Sequence, residues 1–229
     1  LGRGAMMTTT LKTGVLAAAF AVVGGAAMAI TIDTFDDVLT TGDVVGVATA
    51  TNSASDTNPP AAGYVGMERE ITATIVSTRD GQTGRASASS DGLGNDRFEF
   101  ESGDNMVGSF ELLYTGIGGL DLRDTPILVF RDTNNDAAFH VDVTLNGGAS
   151  KSFTILGGGS GTDYALNLHN LAGIDAVTSL GILGTSQAQG GDISFDLIAV
   201  QAVPLPAALP LLLAGVGGLA ALSRRKHTG

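Results

Sequence analysis

The sequence predicts an all-β fold, a jelly-roll-like antiparallel β-sandwich, set between two apolar ends. Three observations carry this. Short runs of alternating apolar and polar residues recur from Val65 to Val200, the period that puts every second side chain on one face of a strand. Clusters of Gly, Asn and Asp separate the runs, and 33 glycines supply the turns such a fold needs. No window keeps a helical apolar period for long, and only Leu166–Leu171 is ambiguous.

The elements follow in order. Ile32-Asp33-Thr34-Phe35-Asp36-Asp37 opens the domain as its first strand. Gly42–Gly63, rich in Thr, Asn, Ser, Ala and Gly with Pro59-Pro60, reads as a long surface loop. Glu70–Val76 is rich in β-branched residues and reads as a strand. Arg97-Phe98-Glu99-Phe100-Glu101 alternates cleanly, and so does Gly108–Tyr114. Pro126–Arg131 is nearly continuous in apolar residues, as a central strand is. Asp132–Asp136 reads as the turn that follows it. Phe139–Leu145 returns with Phe139, Val141, Val143 and Leu145 on one face. Asn146-Gly147-Gly148 turns again, Lys151–Leu156 comes back, and Gly157–Gly161 forms a flexible hairpin loop. Tyr164–Leu168, Val177–Leu183 and Ile193–Val200 complete a set expected in a sandwich. In the last of these, alternation puts Asp196 on one face with Ser194 and Ile198.

The ends have a different character. Arg3 and Lys12 precede an apolar core from Val15 to Val23, and small residues follow as far as Ala27-Met28-Ala29. This is the order of a secretory signal peptide, with an A-x-A site that places cleavage after Ala29. Met6 or Met7 is the expected start. At the other end Leu205–Leu222 is an 18-residue run without charge, just above the lower limit of about 17 for a membrane-spanning helix. Pro204, Pro206 and Pro210 stand at its front, where a helix tolerates proline. Arg224, Arg225 and Lys226 follow it as a basic stop, which sets that end on the cytoplasmic side. The chain thus divides into a signal peptide (1–29), a β-sandwich domain (30–201) and a C-terminal segment (202–229) with a transmembrane helix over 205–222.

Val203-Pro204-Leu205-Pro206-Ala207, the apolar run and the basic cluster together resemble the VPLPA-CTERM variant of the PEP-CTERM sorting signals. The match covers the last 27 residues. It implies an exported protein of a Gram-negative bacterium. Such a protein would be held briefly in the inner membrane, recognised by an exosortase and passed to the cell surface or extracellular matrix. A second resemblance, of pattern only, lies in Ile32–Asp37, Gly66–Ala73 and Gly191–Ile198. These are similar to the jelly-roll bodies of PEP-CTERM-type proteins and to galactose-binding-like and carbohydrate-binding modules.

Composition narrows the function. The two ends hold five of the 12 basic residues and none of the 23 acidic ones, so the middle carries seven bases against 23 acids, a net charge of −16. Such a surface excludes nucleic acid as a partner. It favours solubility and cationic counterions. The chain has no cysteine, which excludes thiol catalysis, thiolate zinc sites and disulfides. It has no tryptophan and few aromatics, although sugar-binding faces commonly use exposed rings.

Candidate chemistry is sparse. Asp132-x-Asn134-x-Asp136 has calcium-loop spacing but lacks the following Gly and the distal Glu. An Asx-rich turn explains it better. If the terminal strands are neighbours, Asp33, Asp36 and Asp37 at the first and Asp192 and Asp196 at the last could converge on a cation. The resemblance to sugar-binding jelly rolls implies a structural calcium there, with Asp33, Asp36 and Asp196 as ligands. Solvated edge charges are the simpler reading. His140 and Asp142 share a strand face as a surface pair. No Gly-x-Ser-x-Gly elbow is present, and Gly157–Gly161 lacks the Lys-Ser/Thr of a phosphate loop. No catalytic residue is assigned. The expectation is a non-enzymatic exported protein whose partners are the secretion and exosortase machinery. Binding of exopolysaccharide is the second reading and a secreted hydrolase the third.

Overall fold

The computed structural model describes residues 29–36, 38–46, 50–57, 67–79, 83–91 and 96–201. The signal segment up to Met28, the sorting motif and basic stop in 202–229, Asp37, and 47–49 and 58–63 of the expected loop lie outside the described residues. Among the described residues no helix is long and apolar enough to cross a membrane.

Among the described residues fifteen strands follow one another. They are β1 (Ala29–Asp33), β2 (Leu39–Thr40), β3 (Val44–Gly46), β4 (Thr51–Thr57), β5 (Glu68–Thr78), β6 (Gly84–Asp91), β7 (Arg97–Ser102) and β8 (Met106–Leu120). Then come β9 (Ile127–Asn135), β10 (Phe139–Leu145), β11 (Ser150–Ile155), β12 (Gly159–Asn167), β13 (Val177–Ser186), β14 (Ile193–Phe195) and β15 (Leu197–Gln201). They form two antiparallel sheets. The nine-stranded sheet runs β1-β15-β9-β14-β7-β6-β2, with β12 also on β9 and β3 on β6. The six-stranded sheet runs β11-β10-β13-β8-β5-β4. The architecture is the expected all-β sandwich.

Alternation builds the core. In β7 Phe98 and Phe100 point inward, and in β10 Phe139, Val141, Val143 and Leu145 do the same. Phe98 meets Phe195 at 4.8 Å within its sheet and Phe110 of the opposite sheet at 4.9 Å, both tilted. Offset and tilted rings avoid stacking like-signed faces, which adds to the burial term. Gly184 lies opposite Phe110 in the β13–β8 ladder, and a Cβ there would stand 2.3 Å from the Phe110 ring. Glycine at this position lets the ring lie flat across the neighbouring strand.

Several expectations are corrected. Gly42–Gly63 is not one loop, because β3 pairs with β6 and β4 with β5 inside it. Asp132–Asp136 is not a turn. β9 continues through Asn135, and its chain bends only at Asp136. Ile193–Val200 is two strands, broken at Asp196, which lies between inward Phe195 and outward-leaning Leu197. Asp196 therefore does not share a face with Ile198. β6 has no counterpart in the sequence prediction. Its buried residues are Gly84, Ala86, Ala88 and Ser90, too small to give a strong apolar rhythm.

The first and last strands are neighbours. β1 pairs with β15 from Ala29↔Gln201 to Asp33↔Ile198. β15 and β14 lie end to end along one side of β9, from Gln201↔Ile127 to Ile193↔Asn135. That single strand β9 links the end where the domain begins and finishes to the far end of the sheet.

Candidate functional site

The structure does not bring Asp33, Asp36 and Asp196 together as a cation site. Asp33 points into the sandwich and is fully buried. Its Oδ2 accepts from Arg69 Nη1 at 2.7 Å and from Tyr114 OH at 2.8 Å, and its Oδ1 accepts from Phe35 N at 2.9 Å. Arg69 also donates to Ser90 Oγ at 3.0 Å, and its guanidinium lies 5.6 Å from the Phe35 ring centre. Burial pushes the Asp33 carboxyl up, while Arg69 and the other donors pull it back. This cluster ties β1 and β6 of one sheet to β5 and β8 of the other. It holds Phe35 at φ 54°, a left-handed conformation that a buried aromatic residue takes only under surrounding constraint. Asp36 is exposed and accepts from Thr34 Oγ1, while Asp196 pairs with Arg97 at 3.1 Å. Among the described residues no three acids or histidines gather closely enough to hold a metal.

The polar feature that remains is a groove on the outer face of the nine-stranded sheet. Strand register creates it. Ser89 lies beside Glu99, Glu99 beside Ser194, and Ser194 beside Asn134. In the next row Ser87 lies beside Glu101. A depression of about 400 Å³ opens here, floored by polar side chains and closed on one side by Ser160 of β12. A second, of about 390 Å³, adjoins it toward β6 and shares Glu101 and Asp192. The two form one open trough across the strands.

Its walls are fixed by backbone contacts. Asp192 N donates to Asp136 Oδ1 at 2.7 Å and Asp136 N donates to Asp192 O at 3.3 Å, so the bend after β9 and the lead into β14 lock each other. Ser102 N donates to Asp192 Oδ1 at 2.9 Å. Asn134 Oδ1 accepts from Ser160 Oγ and Gly161 N, each at 3.0 Å. Partial burial pushes the Asp192 carboxyl above the ordinary carboxylate range. The Ser102 N–H opposes this, and the charges of Asp136, Glu101 and Asp104 reinforce it. No Lys or Arg lines the first depression. In the second, Arg85 is turned to Asp43.

Behind the trough, on the inner face of the sheet beside Ile193, one acceptor receives no hydrogen bond. Asn135 is 7% exposed. Its Nδ2 donates to Ala137 O at 2.6 Å and Leu156 O at 2.7 Å, and its Oδ1 receives no hydrogen bond. Across from it lies Gly159, where a Cβ would come within 2.7 Å of that oxygen. Among the described residues no aromatic ring is exposed; Phe153 and Tyr164 are half-buried against the core. The trough thus offers carboxylates, hydroxyls and amides, with no stacking platform.

Of the other sequence candidates, His140 and Asp142 do form the expected surface pair, at 3.5 Å, and Ser152 Oγ donates to the same Asp142 oxygen at 2.5 Å. The serine contacts the acid rather than the imidazole, which is not the geometry of an activated nucleophile. Glu99 and Glu101 were legible as outward residues from the alternation of β7. The meeting of Asp136 with Asp192 was not, because it joins chain positions 56 residues apart. Arg69 and Tyr114 carried no sign of their buried role.

No protein-family model matches the chain, and no curated protein matches it. Solved structures give distant likenesses. The family 11 carbohydrate-binding module of the cellulase Lic26A-Cel5E of Clostridium thermocellum is similar at 14% identity and TM-score 0.40, over 80% of this chain and 99% of that one. A mutant of the family 29 carbohydrate-binding module CBM29-2, complexed with mannohexaose, is similar at 13% identity and TM-score 0.36, over 51% of this chain and 75% of that one. PfGH50B is similar at 9% identity and TM-score 0.37; the chain spans 21% of its length.

Proposed function

We propose that this chain is an exported, non-enzymatic surface or extracellular-matrix protein whose sandwich holds exopolysaccharide in the trough of its nine-stranded sheet. The N-terminal segment would carry it across the inner membrane. The Val203–Ala207 motif, the apolar run and the basic stop would then hold it until an exosortase acts.

One observation carries the reading. The domain's first and last strands pair at Ala29 and Gln201, and Gln201 lies opposite Ile127 at one end of β9. The trough lies at the other end of β9, at Asn134 and Asn135. Seven residues of extended chain separate them, about 23 Å at ~3.3 Å per residue. The last described strand therefore ends, at Gln201, at the end of the sheet away from the trough. A surface-held binder needs that arrangement, since its ligand then approaches from the outside. The trough is open and shallow, and its interleaved Ser, Asn, Glu and Asp side chains suit the hydroxyls of an extended glycan.

Two measurements test this. Full-length protein carrying Pro204→Ala and Pro206→Ala, expressed in a host with an exosortase, should accumulate unprocessed in the membrane; normal release would refute the sorting half. In native gels cast with exopolysaccharide, the released protein should migrate more slowly, and a Glu99→Gln/Glu101→Gln variant should not. Shortening of the polysaccharide by the wild-type protein would instead indicate a hydrolase.

A further inference from the structure

Asn146-Gly147 is the only Asn-Gly pair in the chain. Asparagine is among the chemically labile side chains, and a following glycine offers its amide the least hindered backbone nitrogen. We propose that Asn146 is a site of self-modification, in which the Gly147 nitrogen displaces the Asn146 side-chain amide as ammonia, and that the fold restrains this reaction by using the same amide as a latch.

The turn exposes the reacting pair. Between β10 and β11, Asn146 stands at φ 52° and Gly147 at φ 63°. Positive φ at both central residues is what makes Asn-Gly a preferred pair for a tight hairpin. Gly148 N donates to Leu145 O at 3.0 Å and closes the turn. Residues 146–148 are exposed. Apart from its chain neighbours, nothing lies within 4 Å of the point a Cβ at residue 147 would occupy. Among the described residues the Gly147 N–H donates to no backbone acceptor.

The asparagine amide is fully engaged elsewhere. Its Oδ1 accepts from Thr178 N at 2.7 Å, Thr178 Oγ1 at 3.0 Å and Ser179 N at 3.2 Å. Its Nδ2 donates to Ala176 O at 3.1 Å and Gly173 O at 3.4 Å. One side chain therefore ties the β10–β11 turn to the segment that leads into β13. Gly173 is shaped around it, since a Cβ there would stand 2.7 Å from Asn146 Nδ2. The oxygen meets only donors and the nitrogen only acceptors, a polarity that an amide supplies and a carboxylate does not.

The chemistry needs only water. Gly147 N gives up its proton to hydroxide and bonds to Asn146 Cγ. The Cγ–Nδ2 bond breaks, the nitrogen takes a proton from water, and ammonia leaves a five-membered imide. A water molecule then opens the ring at one carbonyl or the other, giving aspartate or isoaspartate. The latch opposes the first step, because Cγ cannot turn toward Gly147 N until the bonds to Thr178, Ser179, Ala176 and Gly173 are released. The rate then follows the small population in which the turn is locally open. The product cannot latch again, since a carboxylate oxygen would face the Gly173 and Ala176 carbonyls. The change is one-way and loosens the approach to β13.

The test follows the peptide that carries Asn146 by mass spectrometry, with isoaspartate detection, after the full chain is held in detergent in mildly alkaline buffer with and without urea. Conversion should be at least about tenfold faster in urea, where no latch forms. Thr178→Val removes one donor to the amide and should convert faster than the parent while folded, and at the parent's rate in urea. Gly147→Ala should suppress conversion in urea, where the fold plays no part. Asn146→Asp, which reproduces one product, should melt below the parent. Absence of conversion in urea, or no effect of Gly147→Ala there, would overturn the site. Equal rates with and without urea would overturn the restraint by the fold, and an unchanged folded rate in Thr178→Val would overturn the latch as its cause. A parent-like melt of Asn146→Asp would overturn the claim that the product cannot latch.

Discussion

Asp33 and Asp192 stand on or beside the strands that close this domain, yet the molecule treats them in opposite ways. Asp33 is sealed in the core and met by a guanidinium, a phenol and a backbone N–H. Asp192 sits in the open trough with other carboxylates for company and one backbone N–H to hold it. The first arrangement uses two charges to join the sheets, where a gap in the bonding would be strongly destabilising. The second leaves negative charge uncompensated at the surface, where water tolerates it and a ligand can exploit it. Charge that is fully answered inside the protein reports on architecture. Charge that is left unanswered, on a framework held rigid by other contacts, reports on binding.

The largest test of that contrast strikes the core. Arg69→Met leaves the Asp33 carboxylate buried without its cation and should cost about 3–5 kcal/mol. For a domain of this size that is a fall in melting temperature on the order of 10 °C. Pairing it with Asp33→Leu should recover much of the loss, because an apolar pair of similar volume replaces a buried ion pair at little cost. Next comes packing beside the cluster. Gly184→Ala drives a methyl into the Phe110 ring and should cost about 1–3 kcal/mol, read from the same thermal melts.

Trough substitutions should behave in the opposite manner. Glu99→Gln/Glu101→Gln lies on the solvent face, so its stability should stay within about 0.5 kcal/mol of the parent while retention on polysaccharide is lost. The smallest effect is one of pH. Asp192 has its pKa raised by burial and by neighbouring acids. The folded state therefore holds that proton more tightly than the unfolded chain, whose Asp titrates near about 4. Its contribution to stability is complete below the unfolded pKa and is lost as pH rises through the folded value. Melting temperature should accordingly rise as the pH is lowered from 7 toward 5. Asp192→Asn keeps an oxygen for the Ser102 N–H and removes the charge, so it should melt slightly higher at pH 7 and show a flatter pH profile.

The sandwich was largely legible because its strands carry strong period-two patterns, as in Arg97–Glu101 and Phe139–Leu145. β6 escaped because Ala86 and Ala88 are small, β4 because Thr, Ser and Asn imitate a loop, and β3 because Val44-Val45-Gly46 is too short to show a pattern. The pairing of the first strand with the last entered the sequence reading only as a condition, and the cation site drawn from it is not what the structure holds. Sequence gives the alternation that turns Asp33 inward only once the register to β15 is known, and Arg69, 36 residues away, is then what it meets. The trough was half-legible. Glu99 and Glu101 faced outward by simple alternation, whereas Asp136 and Asp192 are brought together by a tertiary contact that no local pattern encodes.

The most direct test is hydrogen exchange on the full chain with and without exopolysaccharide. Slowed exchange should concentrate in β7, β14 and the Asn134–Asp136 end of β9, leaving the outer face of β10 and β13 on the opposite sheet unchanged. Protection of β10 and β13 instead, or of neither sheet, would contradict the assignment of the trough as the surface that binds.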